Sequence, residues 1–149
     1  VLAEAGSVAY IGKPVYNYRQ VSTSMTHVFK KNILEINRSI FESWEEFLER
    51  YDPKGQWRKA YYANVLRRLD HAVQVYFMTK ANPASTSQKQ KELSALVRTE
   101  PYRSAARGAE KNKLTRRHRV LAVMAGHGSG TGIWAAYSYN SWRKKRRKS

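Results

Sequence analysis

The chain has 149 residues and carries 28 Lys and Arg against 11 Asp and Glu, a net charge of +17. It has no cysteine, which excludes disulfides, thiolate-bound zinc, iron–sulfur clusters and a thiol nucleophile. The length fits one domain with a tail, and so large a one-signed charge directs the chain towards polyanions: RNA, anionic lipid headgroups or acidic faces of partner subunits.

Residues 1–21 scatter Tyr10, Tyr16 and Tyr18 among Gly6, Gly12 and Pro14, and read as an extended arm laid on another molecule. Residues 22–80 read as a helical hairpin. Ser22, Thr23 and Ser24 offer capping hydroxyls, and Phe29, Ile33, Ile36, Ile40, Trp44, Phe47 and Tyr51 recur at steps of three and four, which predicts one apolar helix face. Asp52-Pro53-Lys54-Gly55 supplies the turn. A second helix is predicted from about Gln56 to Thr79, with Trp57, Tyr61, Val65, Leu69, Ala72 and Tyr76 in a stripe that Tyr62, Leu66, Val73 and Phe77 widen. That surface exceeds what one partner helix covers, so contact with another protein or a membrane surface is expected. Residues 81–119 divide into a linker (81–87), a short helix from about Gln88 to Thr99, and a basic segment. No stretch has the two-residue period of a strand.

Residues 120–142, VLAVMAGHGSGTGIWAAYSYNSW, contain no charged side chain although 26% of the chain is charged. Arg116, Arg117 and Arg119 precede the stretch, and the tail 143–149 follows it with Arg143, Lys144, Lys145, Arg146, Arg147 and Lys148. A helix of this length spans roughly 35 Å, enough for a bilayer core. The predicted fold is therefore all-α: a helical hairpin with an extended N-terminal arm and a C-terminal single transmembrane helix. Gly126 with Gly130, and Gly128 with Gly132, form two GxxxG pairs on nearly opposite sides of that helix, extended by Ala122 and Ala136. These six residues are the predicted helix-packing set. Trp134, Tyr137, Tyr139 and Trp142 form an expected interfacial belt, and Trp142 with the nine flanking cations is the candidate lipid- or polyanion-binding set.

The glycines do not make a nucleotide loop: Ile133 and Trp134 follow Gly132 where a P-loop needs Lys and Ser or Thr, and no Asp or Glu occurs after Glu110. His127 lies alone in the stretch, and His27, His71 and His118 lack metal-ligand spacing. The reading is a non-enzymatic protein without metal or cofactor.

The glycine pairs, the Tyr137–Tyr139 pair and the basic exit give the stretch a resemblance to the GxxxG membrane helices of small mitochondrial ATP synthase subunits. Accessory subunits of respiratory complexes share the plan of a helical part, one slim helix and a basic end. The resemblance implies a non-catalytic, single-pass accessory subunit of a mitochondrial inner-membrane energy-converting complex, packed against other subunits and bound to anionic lipid such as cardiolipin. The charge, the arm and the KKRRK tail support an alternative: a structural RNA-binding protein of a mitochondrial ribosome, in the matrix, with rRNA as partner. The absence of cysteine, and a start at Val1 as at a processed terminus, fit either mitochondrial setting.

Overall fold

The computed structural model describes Ser7 and residues 30–146, with the side chains of Lys144 and Lys145 outside that description. The expected arm at 1–21, the caps at Ser22–Ser24, Phe29 and the tail cations Arg147 and Lys148 lie outside the described residues. Those described are all helical, without strands: α1 (Ile33–Tyr51), α2 (Arg58–Ala72) continued by a π-helical turn (Val73–Phe77), α3 (Thr86–Leu96), α4 (Tyr102–Gly108), a 3-10 turn (Lys111–Lys113), α5 (Arg116–Gly126) and α6 (Gly130–Arg146).

The broad apolar surface of the second predicted helix explains the architecture. Tyr61, Val65, Leu66, Leu69, Ala72, Val73 and Phe77 are fully buried, which makes α2 the axis of the molecule. α1, α4 and α5 pack around it and α3 closes over its π-helical end. The surplus surface is thus covered from within the chain, not by another protein or a membrane. Gly108 allows α4 to approach closely, since a Cβ there would lie 2.8 Å from Cδ2 of Tyr62.

The turn between α1 and α2 forms where expected. Gly55 adopts φ 68°, and the Asp52 carboxylate accepts from the amides of Gln56 (2.6 Å) and Trp57 (2.7 Å), two of the free donors at the start of α2. The face of α1 differs from the predicted stripe. Ile33 is buried, but Ile36 is 40% exposed, while Asn37, Phe41 and Leu48 face inward. α1 looks at α2 and α4 together: Phe41 meets Tyr61 and Tyr102 edge-on, at 6.3 and 5.5 Å, and Asn37 Oδ1 accepts from Arg68 at 3.3 Å.

The linker after α2 is organised by a buried lysine. Lys89 donates through Nζ to the carbonyls of Asn82 (2.8 Å) and Thr79 (3.3 Å), and Asn82 Nδ2 donates to the Tyr76 carbonyl (2.9 Å). Carbonyls left free where the helix ends thereby gain partners. Ser85 and Gln88 then form a reciprocal capping box that starts α3.

The predicted transmembrane helix is not present. Residues 120–142 are divided between α5 and α6 by a turn at 127–129, and no helix among the described residues is long and apolar enough to cross a membrane. The cause is local. Gly128 sits at φ 65°, its N–H donates to the Ala125 carbonyl (2.8 Å), and the Ser129 N–H donates to the Met124 carbonyl (3.0 Å). These paired bonds around a left-handed glycine are a Schellman stop. Ser129 then caps the next helix, its Oγ accepting from the Gly132 N–H at 3.0 Å. Stop and start signals occupy adjacent residues, and the chain folds back on itself.

The glycines consequently do four different things rather than line two grooves of one rod. Gly126 ends α5, with Ala106 Cβ 3.9 Å from where its own Cβ would stand. Gly128 makes the turn. Gly130 brings α6 against the backbone of α3 at Ser94, and Gly132 makes room for Met124 Sδ and Ser129 Oγ. Ala122 is buried and Ala136 half-buried. Gly128→Ala is expected to cost about 1 kcal/mol, from the left-handed backbone strain, with Gly128→Asn costing less. Urea denaturation of the two variants checks the order.

Candidate nucleic-acid interface

α5 begins at Thr115, whose Oγ1 accepts from the His118 N–H at 3.3 Å. Leu121, Ala122 and Ala125 face inward. Arg116, Arg119, Val120 and Val123 face outward and, with Met124, line a shallow hollow on the surface. On α6, Gly130 and Ile133 are buried and Trp134 and Tyr137 half-buried. From Tyr139 onward every described side chain is exposed. The predicted aromatic belt is therefore split: Trp134 and Tyr137 serve the core, and Tyr139 and Trp142 stand outside it.

Two contacts set the relation of these helices. Met124 lies beside Gly132, and the Arg117 guanidinium stands 4.7 Å over the Tyr137 ring. α5 and α6 therefore run antiparallel, with Tyr137, midway along α6, beside the first turn of α5. Asp70 of α2 fixes this arrangement. Its Oδ1 accepts from the Tyr137 hydroxyl and from Arg117 Nε (2.7 Å), and its Oδ2 accepts from Gln74 Nε2 (3.1 Å). His118 Nε2 is 3.6 Å from Oδ2 and pairs with it when protonated. Burial, and secondarily the hydrogen bond to Asp70, raise the Tyr137 pKa well above that of an ordinary phenol, so its hydroxyl remains a donor.

The arrangement gathers charge of one sign. From Lys111 to the end the chain holds 11 Lys and Arg and no acid. Glu110, the last acid, is occupied by Lys113 (2.6 Å) and Lys59 (2.8 Å), whose hydrogen bonds hold its pKa at about 2. Arg116 and Arg119 are exposed on α5, and Tyr139, Trp142, Arg143 and Arg146 are exposed on the turns of α6 beyond Tyr137. The Arg146 guanidinium lies 4.4 Å over the Trp142 ring. Exposed charge of one sign on these helices attracts phosphate.

Of the predicted polyanion set, Arg116, Arg119, Trp142, Arg143 and Arg146 are exposed and without an acidic partner among the described residues. Arg117 is exposed too but is engaged by Asp70 and Tyr137. Lys144 and Lys145 continue α6 in backbone only, and Arg147 and Lys148 lie outside the described residues. Sequence reasoning missed Asp70. Its one signal is that it is the sole acid between Asp52 and Glu92, at the border of the apolar stripe of α2. Comparison of the chain with protein-family models, with curated proteins and with solved structures finds no match.

Proposed function

We propose that this chain is a non-catalytic RNA-binding structural protein that seats the exposed arginines of α5 and α6 on phosphates. The observation that carries the reading is the set of exposed arginines on α5 and α6, in a stretch that holds 11 Lys and Arg and no acid from Lys111 on. A single-pass membrane subunit needs a span, and the described helices supply none. A helix lying on a bilayer needs a continuous apolar face, whereas the outer side of α6 presents Thr131, Ala135, Tyr139, Trp142 and Arg146. Arginine over an aromatic ring, exposed beside further arginines, suits RNA, where phosphates and base faces occur together.

The test is binding of the full chain to a structured RNA across a salt series. Arg116, Arg119, Arg143 and Arg146 changed together to Ala should weaken binding and flatten the slope of log K against log salt by about 3, the loss of four phosphate contacts. An unchanged slope sinks the assignment to these arginines. Tighter binding to cardiolipin vesicles than to RNA overturns the RNA reading. For the setting we propose an organellar ribosome, tested by co-sedimentation with rRNA; sedimentation that persists after RNase treatment rejects it.

A further inference from the structure

We propose that Tyr139 and Trp142 form a base-stacking platform on the outer face of α6, so that the RNA recognised there is an unpaired strand rather than a duplex. The inference rests on the RNA reading above and specifies its ligand. Tyr139 and Trp142 are 59% and 50% exposed. They stand three residues apart on α6 and so share a face, with ring centroids 5.9 Å apart and planes inclined by 33°. Trp57, the other exposed tryptophan, is stacked on Phe47 at 5.5 Å and serves the α1–α2 packing. The α6 pair carries no such duty, because the core portion of its helix ends at Tyr137 and Ser138.

The chemistry around the rings selects the ligand. Arg146 over Trp142, with Arg143 one residue along, places cations where the phosphates flanking a stacked base would lie. A duplex has phosphates for those cations but keeps its base faces inside the stack, and the deep, narrow major groove of A-form RNA does not admit the rings. An unpaired strand meets both needs: its bases have free π-faces, and stacking accepts any of the four. Electrostatics then supplies binding to either form, and the rings supply the preference.

The experiment uses the full chain with two fluorescein-labelled probes of equal phosphate number, an oligouridine and an RNA duplex. The wild type should favour the oligouridine about tenfold. Tyr139→Leu with Trp142→Leu should remove that preference while leaving duplex affinity and its salt slope within about twofold, since Arg143 and Arg146 remain. Trp142→Phe with Tyr139 intact should restore most of the preference. Helical content measured by circular dichroism should be unchanged, because both rings lie outside the core. Equal binding of the two probes by the wild type overturns the platform and leaves the RNA reading standing. Equal losses for both probes in the double variant also overturn it. Preference for the duplex overturns the platform alone, and failure of both probes to bind the wild type overturns both readings.

Discussion

Replacing Gly130 with Val is expected to destabilise the fold by about 3 kcal/mol and to lower Tm by roughly 10 °C. A Cβ at this position would lie 2.8 Å from Ser94 Cα and 2.5 Å from Ser94 Oγ. The obstacle is the backbone of α3, which cannot swing aside as a side chain would. Relief requires α6 to lift away from α3. That movement breaks the hydrogen bond from the Gly130 N–H to Ser94 Oγ (3.1 Å) and loosens Ile133, now 1% exposed. Gly126 provides the contrast. Its added methyl would meet only Ala106 Cβ, at an ordinary 3.9 Å, and it lies within a helix, so Gly126→Ala should be neutral or stabilise by up to about 1 kcal/mol. Thermal melts of the two variants decide the matter: similar losses would mean that the glycines act as a pair after all.

A change at Asp70 should move stability and RNA binding in opposite directions. Asp70→Asn keeps the shape of the side chain and an acceptor for the Tyr137 hydroxyl, but removes the charge that holds Arg117. With the Asp70 side chain 13% exposed, the expected loss is about 2 kcal/mol, limited by the partial solvation of Arg117. Tyr137→Phe should cost about 1 kcal/mol, and the double variant somewhat less than the sum, because the neutral amide oxygen already weakens the hydrogen bond that Phe removes. Arg117, once released, joins Arg116 and Arg119 as an exposed arginine of α5 without an acidic partner among the described residues. Its added phosphate contact should steepen the salt dependence of RNA binding by up to about 1 in slope. A parallel loss of stability and binding would show that Asp70 only supports the fold.

Local signals were the legible part of this protein. The turn at Asp52–Gly55, the hairpin of α1 and α2 and the short third helix follow from apolar periodicity and turn chemistry, and the structure has them with small shifts of boundary. The face of α1 was less legible, because its inward row includes Asn37, a polar residue buried for the sake of Arg68 on another helix. α4 lay hidden in a segment that reads as merely basic and small.

The largest misreading came from letting one global property, freedom from charge over 23 residues, outweigh punctuation that was present. Gly128 followed by Ser129 is a helix stop followed by a helix cap, and each has a direct physical reading. The cationic set was largely legible, since composition and spacing point to it. The engagement of Arg117 was not, because it depends on Asp70, whose other partner Tyr137 is 67 residues away. No local pattern announces a contact of that range.

That separation orders events during synthesis. Chains emerge N-terminus first, so α2 is exposed, with Val65, Leu66 and Leu69 bare, until α4 and α5 arrive to cover it. Asp70 waits longer still. A chain ending before Tyr137 would hold an aspartate with no phenol to meet it and an α3 with no α6 to shelter Leu93. Such a truncated product would be both sticky and unable to present Trp142. On the proposed RNA reading, competence for the ligand therefore arises only once α6 has been made, and nascent copies that stop short of it lack the surface around Trp142.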